Sequence, residues 1–123
     1  MLHTASFYQP QDWHGRLFRV SRQHPRGRRV QWESLPFFYP TYDIIKAYRK
    51  GEIDFERYTR DYLGQLEERW DSDSDMRSGV RASPGLGDFT LLCFERVGEP
   101  CHRLILARWL KDQQPDLLIG PLN

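Results

Sequence analysis

The chain is poor in cysteine, in lysine and in long apolar runs, and each shortage excludes something. Two cysteines, Cys93 and Cys101, are too few for a disulfide scaffold, so a reducing, cytoplasmic setting is expected. No apolar run approaches the roughly 20 residues needed to cross a bilayer, so no membrane partner is expected. The opening MLHTASFYQP has neither a basic n-region nor an apolar h-region, and a secretory signal is not expected. Lysine stands only at Lys46, Lys50 and Lys111; the other cations are arginines, whose planar fork suits carboxylate and phosphate.

What is present is one ordinary globular domain's worth of chain, expected to span residues 1–123. A sequence of 123 residues can bury roughly two thirds of its unfolded surface, enough for a core without staples. Net charge is only +1, but it is unevenly spread. Residues 1–40 carry six arginines (Arg16, Arg19, Arg22, Arg26, Arg28, Arg29) against Asp12 and Glu33, a local balance of +4, while most acids fall in 41–76. Such an end is either a solvated basic face or the footprint of an anionic partner.

LHTASFY is aromatic-rich and loosely alternating, which predicts a strand over 2–8 ended by Pro10. GRLFRVSR predicts a second strand over 16–21, and Pro25 with Gly27 break the chain in the loop that follows. Residues 30–40 hold two prolines and no clean period; Trp32, Phe37, Phe38 and Tyr39 read as core lining rather than a stacking platform. Helices then begin. Thr41 is the expected N-cap and Gly51 the expected C-terminal stop of a helix over 42–50. Asp54 is the expected cap of the next, whose stripe of Phe55, Tyr58, Tyr62, Leu66 and Trp70 recurs at helical steps.

DSDSDMRSGVRASPGLGD reads as a polar, glycine-rich linker. It fails the calcium-loop pattern, because Met76 stands where the turn needs glycine and Ala82 where a bidentate glutamate should be. FTLLCF predicts a buried strand over 89–94, and a helix over 100–112 starts at Pro100. DLLI predicts a last strand over 116–119. The order β-β-α-α-β-α-β ends in a βαβ unit, which should be parallel and right-handed. The expected fold is therefore a single compact α/β domain with a mainly parallel sheet and helices on both faces.

Parallel α/β sheets bind ligands beyond the carboxyl ends of their strands, where the 94–100 turn and the following helix start should lie. That helix end offers free backbone N–H groups and partial positive charge. Yet His102 and Arg103 add cations in its first turn, an arrangement that a bound phosphate or carboxylate would make favourable. Cys101, at the helix start, is a candidate nucleophile or a plain half-buried thiol. His102 is the candidate acid/base, and Glu95 a candidate base or an ion-pair partner of His102 or Arg103. Cys93 reads as core.

The C-x5-R signature of cysteine phosphatases is absent, since Ala107 and Glu99 occupy the two arginine positions. No G-x-S-x-G elbow is present either. A zinc site from Cys93, Cys101, His102 and His24 lacks any C-x2-C pair, so neither metal nor cofactor is expected. If strand 16–21 runs parallel to 89–94, SRQHPRG brings Ser21, Arg22 and His24 to the same edge. Ser6, near the end of strand 1, joins them there.

LLCFERVGEPCHRLILARWL resembles the "LLCyEk…CHR" ending of the domain of unknown function 488 family. SRQHPRG resembles that family's Ser-Arg-x-x-Pro segment, and LPFFYPTYDIIKAYRKGEIDFERYTRDYLGQL is similar to its tyrosine-rich helical middle, so the resemblance spans about residues 2–118. The matching residues are Ser21, Arg22, Pro25, Cys93, Glu95, Cys101, His102 and Arg103. The resemblance implies a shared pocket from the polar ones among them, and it assigns no activity.

The expected function is a pocket protein or enzyme acting on a phosphate-bearing or anionic substrate, a nucleotide or nucleic-acid end. Ser21, Arg22, Arg103, Ser6 and His24 would bind it, and His102, Cys101 and Glu95 would supply the chemistry. The alternative is a non-catalytic nucleic-acid-binding or interaction module built on the arginine-rich N-terminal part. Substrate, reaction and oligomeric state are not legible.

Overall fold

A computed structural model describes residues 1–123. β1 (Leu2–Ser6), β2 (Arg16–Arg19), β3 (Glu33–Ser34) and β4 (Phe89–Cys93) form one sheet in the order β1-β4-β2-β3, every pairing parallel. α1 (Tyr42–Arg49), α2 (Phe55–Ser72) and α3 (Ser74–Ala82) connect β3 to β4, and α4 (His102–Gln113) follows β4. No helix is long and apolar enough to cross a membrane.

The handedness of parallel crossovers explains where the helices lie. The α1–α3 connection and the one through α4 both return toward the β1 side of the sheet, so right-handed winding puts them on one face. Their buried residues accordingly share a core with Leu2, Phe18, Phe89 and Leu91. The connections β1→β2 and β2→β3 run the other way and cover the opposite face. There Ala5, Phe7 and Leu92 pack under Trp13 and Trp32, in loops that include the 3-10 turn Pro10–Asp12. Both faces are covered, with four α-helices on one and a 3-10 turn with aromatic loops on the other.

Several elements follow the sequence expectations closely. α1 ends in a Schellman motif: Gly51 has φ +75°, its N–H bonds the Tyr48 carbonyl, and Glu52 N–H bonds that of Ala47. Asp54 caps α2 by accepting from Arg57 N–H at 2.8 Å. Tyr58, Tyr62 and Leu66 are buried along the α2 stripe. Thr41 sits at the α1 N-cap but does not cap it, because its hydroxyl and N–H both engage Gln65 instead.

Four expectations are corrected. The supposed linker after Trp70 is largely helix: α2 continues to Ser72, Asp73 caps α3 through Met76 N–H, and Met76 with Val80, four apart, enter the core. The methionine that spoils a calcium loop is a core residue. The strand over 116–119 shrinks to a single parallel bridge, Leu2↔Ile119, flanked by Leu2 N–H to Leu118 O and Gly120 N–H to Leu2 O. β3 is a two-residue edge strand, too short for periodicity to reveal. Pro100 also lies before α4 rather than in it, with Cys101 as the N-cap.

α2 positions the segment that borders the cleft. Tyr62 donates its hydroxyl to Phe38 O at 2.6 Å, Gln65 holds Thr41, and Arg69 donates to the carbonyls of Phe37 and Tyr39. Burial pushes the phenols of both Tyr58 and Tyr62 above the ordinary value, with neighbouring negative groups adding to it. The proton-bound form is thus favoured by folding, and the stability it contributes is full below about pH 10 and lost as pH rises further. The tyrosinate absorbance of the folded chain should stay incomplete until alkaline unfolding. Tyr58→Phe/Tyr62→Phe should reduce the loss of stability above about pH 10. Full tyrosinate absorbance before the unfolding transition would contradict this.

Candidate functional site

The carboxyl ends of β2 and β4 open into a shallow cleft with a cavity volume of about 90 Å³, about 680 Å³ when the solvent-open space at its mouth is included. β2 delivers Ser21, Arg22 and Gln23; β4 delivers Phe94 and Glu95; the start of α4 delivers Cys101 and His102. The opposite wall comes from α1 (Tyr42, Ile45, Tyr48, Arg49) and from Phe55 and Tyr58 of α2. The placement follows from the parallel register, which aligns Arg19 with Leu92 and lets both chains leave the sheet at the same edge.

At the floor, His102 is only 6% exposed. Its Nε2 lies 2.7 Å from Val20 O, and because a carbonyl can only accept, Nε2 carries the proton. Nδ1 then faces two sulfurs, 3.7 Å from Cys93 Sγ and 3.9 Å from Cys101 Sγ. Cys93 donates to Glu95 Oε2 at 3.1 Å. Tyr62 meets the His102 ring edge-on, with centroids 5.4 Å apart.

These contacts sort the ionisations. Burial alone would raise the Cys101 thiol, but the neighbouring Cys93 thiol and the positive charge of His102 and Arg103 outweigh it and hold it well below the usual range. Burial would lower His102; the Cys101 thiolate and the Val20 carbonyl reverse that and raise it. Burial, with Cys101 and Glu95 beside it, keeps Cys93 a thiol. Glu95 is raised by burial and by the charge of Cys101. The floor therefore combines a thiol that ionises readily, an imidazole with a raised affinity for a second proton and a carboxyl group with a strengthened hold on its proton.

The structure brings together Ser21, Arg22, Glu95, Cys101 and His102, five of the sequence candidates. Arg22 is exposed and donates its Nε to Pro40 O. Ser21 donates its hydroxyl to Gln23 O. Three candidates lie elsewhere. Arg103 is fully buried and turned to the chain's last residue, donating Nε and one terminal nitrogen to Asn123 O. The expected pairing of Arg22 with Arg103 around one anion is thus corrected: successive helical residues point about 100° apart, and only His102 faces the cleft. Ser6 pins the end of β1, donating to Phe94 O and accepting from Tyr8 N–H. His24 packs on Trp32 beyond Phe94, beside Tyr8 and Arg26.

The α1 wall was not anticipated. Its signal was present: Tyr42, Ile45 and Arg49 recur at three- and four-residue steps, while Ile44 packs against the core and Tyr48 borders both the core and the cleft. Neither Arg22 nor Arg49 forms a salt bridge with a carboxylate.

Fold and cleft together define a small parallel α/β domain with a thiol–imidazole–carboxyl floor at the carboxyl ends of its strands. The chain belongs to the active DUF488-N3 subclade, whose family model matches residues 2–114, so the resemblance to the domain of unknown function 488 family holds. No curated protein and no solved structure matches it.

Proposed function

We propose that the cleft takes a phosphate-bearing substrate, a nucleotide or a nucleic-acid end, and that the floor carries out chemistry on it. The observation that supports this is the meeting, in one cleft, of two arginines free of carboxylate partners, an aromatic wall and a titratable floor. Arg22 and Arg49 supply charge-assisted donors to the anion. Tyr42, Tyr48 and Phe55 offer ring surface to a base, a sequence-tolerant contact. His102 is the acid/base group, assisted by Cys101 or Glu95. A nucleic-acid end would also meet Arg26, Arg28 and Arg29, exposed on the same loop as Arg22.

Calorimetric titration with nucleoside phosphates and with inorganic phosphate tests this. Arg22→Ala and Arg49→Ala should each weaken binding about tenfold or more, equivalent to about 1.4 kcal/mol. Arg108→Ala, exposed on α4 outside the cleft, should not. No nucleotide binding, or equal losses in all three variants, would defeat the reading. Charge reversal of Arg26, Arg28 and Arg29 that lowers DNA or RNA affinity, with the cleft variants unaffected, would move binding to the arginine-rich loop.

A further inference from the structure

We infer that the floor of the cleft is a site for one zinc-class divalent ion, held by Cys93 Sγ, Cys101 Sγ and His102 Nδ1, with a fourth position open to the cleft beside Glu95. This rests on the same cleft as the proposed function, not on the identity of the substrate. The sequence argued against a metal because no C-x2-C pair exists and His24 was the fourth donor considered. The fold supplies what the spacing hides: Cys93 closes β4, Cys101 and His102 open α4, and the turn between brings the three together.

The three donor atoms lie within 4.8 Å of one another. Zinc binds sulfur at about 2.3 Å and imidazole nitrogen at about 2.0–2.1 Å in a tetrahedron, which sets sulfur–nitrogen edges near 3.6 Å. The two observed here are 3.7 and 3.9 Å. His102 is also in the required tautomer. Its Nε2–H is committed to Val20 O, leaving the Nδ1 lone pair aimed at the sulfurs, the arrangement by which proteins orient histidine ligands. Both sulfurs and the ring are buried, yet Cys101, His102 and Glu95 reach the cleft surface.

The donor set selects the metal. Two thiolates and an imidazole suit zinc and its tetrahedral analogues, not calcium or magnesium, which take oxygen ligands. Three protein ligands with an open fourth position is the arrangement of catalytic rather than structural zinc. Each ligating thiol gives up its proton on binding. The ion would supply Lewis acidity at the floor. With it in place His102 and Cys101 act as ligands, and Glu95 becomes the group that handles the proton at the open position.

The test is titration of the reduced, metal-free chain with cobalt(II), followed by displacement with zinc. One equivalent should produce thiolate-to-cobalt charge-transfer absorption and the strong visible bands of tetrahedral cobalt, and zinc should abolish both. Cys93→Ser and Cys101→Ser should each weaken binding at least tenfold; Glu95→Gln should keep the thiolate bands. A folded wild-type chain without thiolate bands overturns the inference, as does a Cys93→Ser/Cys101→Ser variant that binds cobalt as the wild type does. Should a serine variant fail to fold, the wild-type spectrum alone decides. Nucleotide affinity of the metal-free chain, measured in parallel, separates the two ideas: binding without a cobalt site strikes only the metal, and a cobalt site without nucleotide binding strikes only the substrate.

Discussion

Gly15→Ala is expected to destabilise the chain by about 4 kcal/mol or more, a loss of the size that only a few mechanisms produce. Gly15 has φ +64°, and a methyl group there would stand 1.9 Å from the carbonyl oxygen of Asp88. The left-handed backbone alone costs an ordinary residue about 1–2 kcal/mol; the clash adds movement of main chain on both sides. The same two segments carry Arg16 N–H to Asp88 O, and His14 N–H to the Thr90 hydroxyl, so they cannot part without loosening the β2–β4 ladder. Gly27→Ala is the control. Its φ is +71° but no atom lies within 4 Å of the added methyl, so only the backbone cost applies. Chemical denaturation of both variants checks the contrast, and equal losses would show that the close approach does not matter.

His102→Ala is expected to lower turnover of the proposed substrate by about 10²–10⁴-fold, whether the imidazole transfers a proton or holds a metal. The structural cost is smaller. Val20 O loses its donor and Tyr62 loses an edge contact, together about 1–3 kcal/mol. A domain with typical stability of about 5–15 kcal/mol survives that. Far-ultraviolet circular dichroism and thermal melting should show a folded variant with no activity. A folded variant with undiminished turnover would remove His102 from the chemistry. An unfolded one would make the corner structural.

The fold was legible where local signals were strong. Helical stripes, the Asp54 cap and the Gly51 stop placed α1 and α2, an alternating aromatic-rich pattern placed β1, and short apolar stretches placed β2 and β4. α3 was hidden because its two core residues, Met76 and Val80, sit among serine, aspartate and glycine, and composition outweighed their spacing. β3 is two residues long, and the last strand survives as one bridge; neither carries a period. At the site, the rule for parallel sheets put Ser21, Arg22, Glu95, Cys101 and His102 at one sheet edge, and the structure places all five around one cleft. It could not say which way neighbouring residues of one helix turn relative to the sheet, and so Arg103 was misplaced. Nor could it show that α1 closes the far side, because that depends on how three helices return over the sheet.

The two sides of the cleft differ in how firmly they are held. Cys93 closes an inner strand of the sheet, and Cys101 and His102 open a helix buried on most of its circumference, whereas no residue of α1 is fully buried. Any displacement of α1 would therefore change the aperture of the cleft while leaving the spacing of Cys93, Cys101 and His102 unchanged. Such a displacement would have to part Ile44 and Tyr48 from the core and Thr41 from Gln65, so the width of the cleft is tied to the packing of α1 on α2.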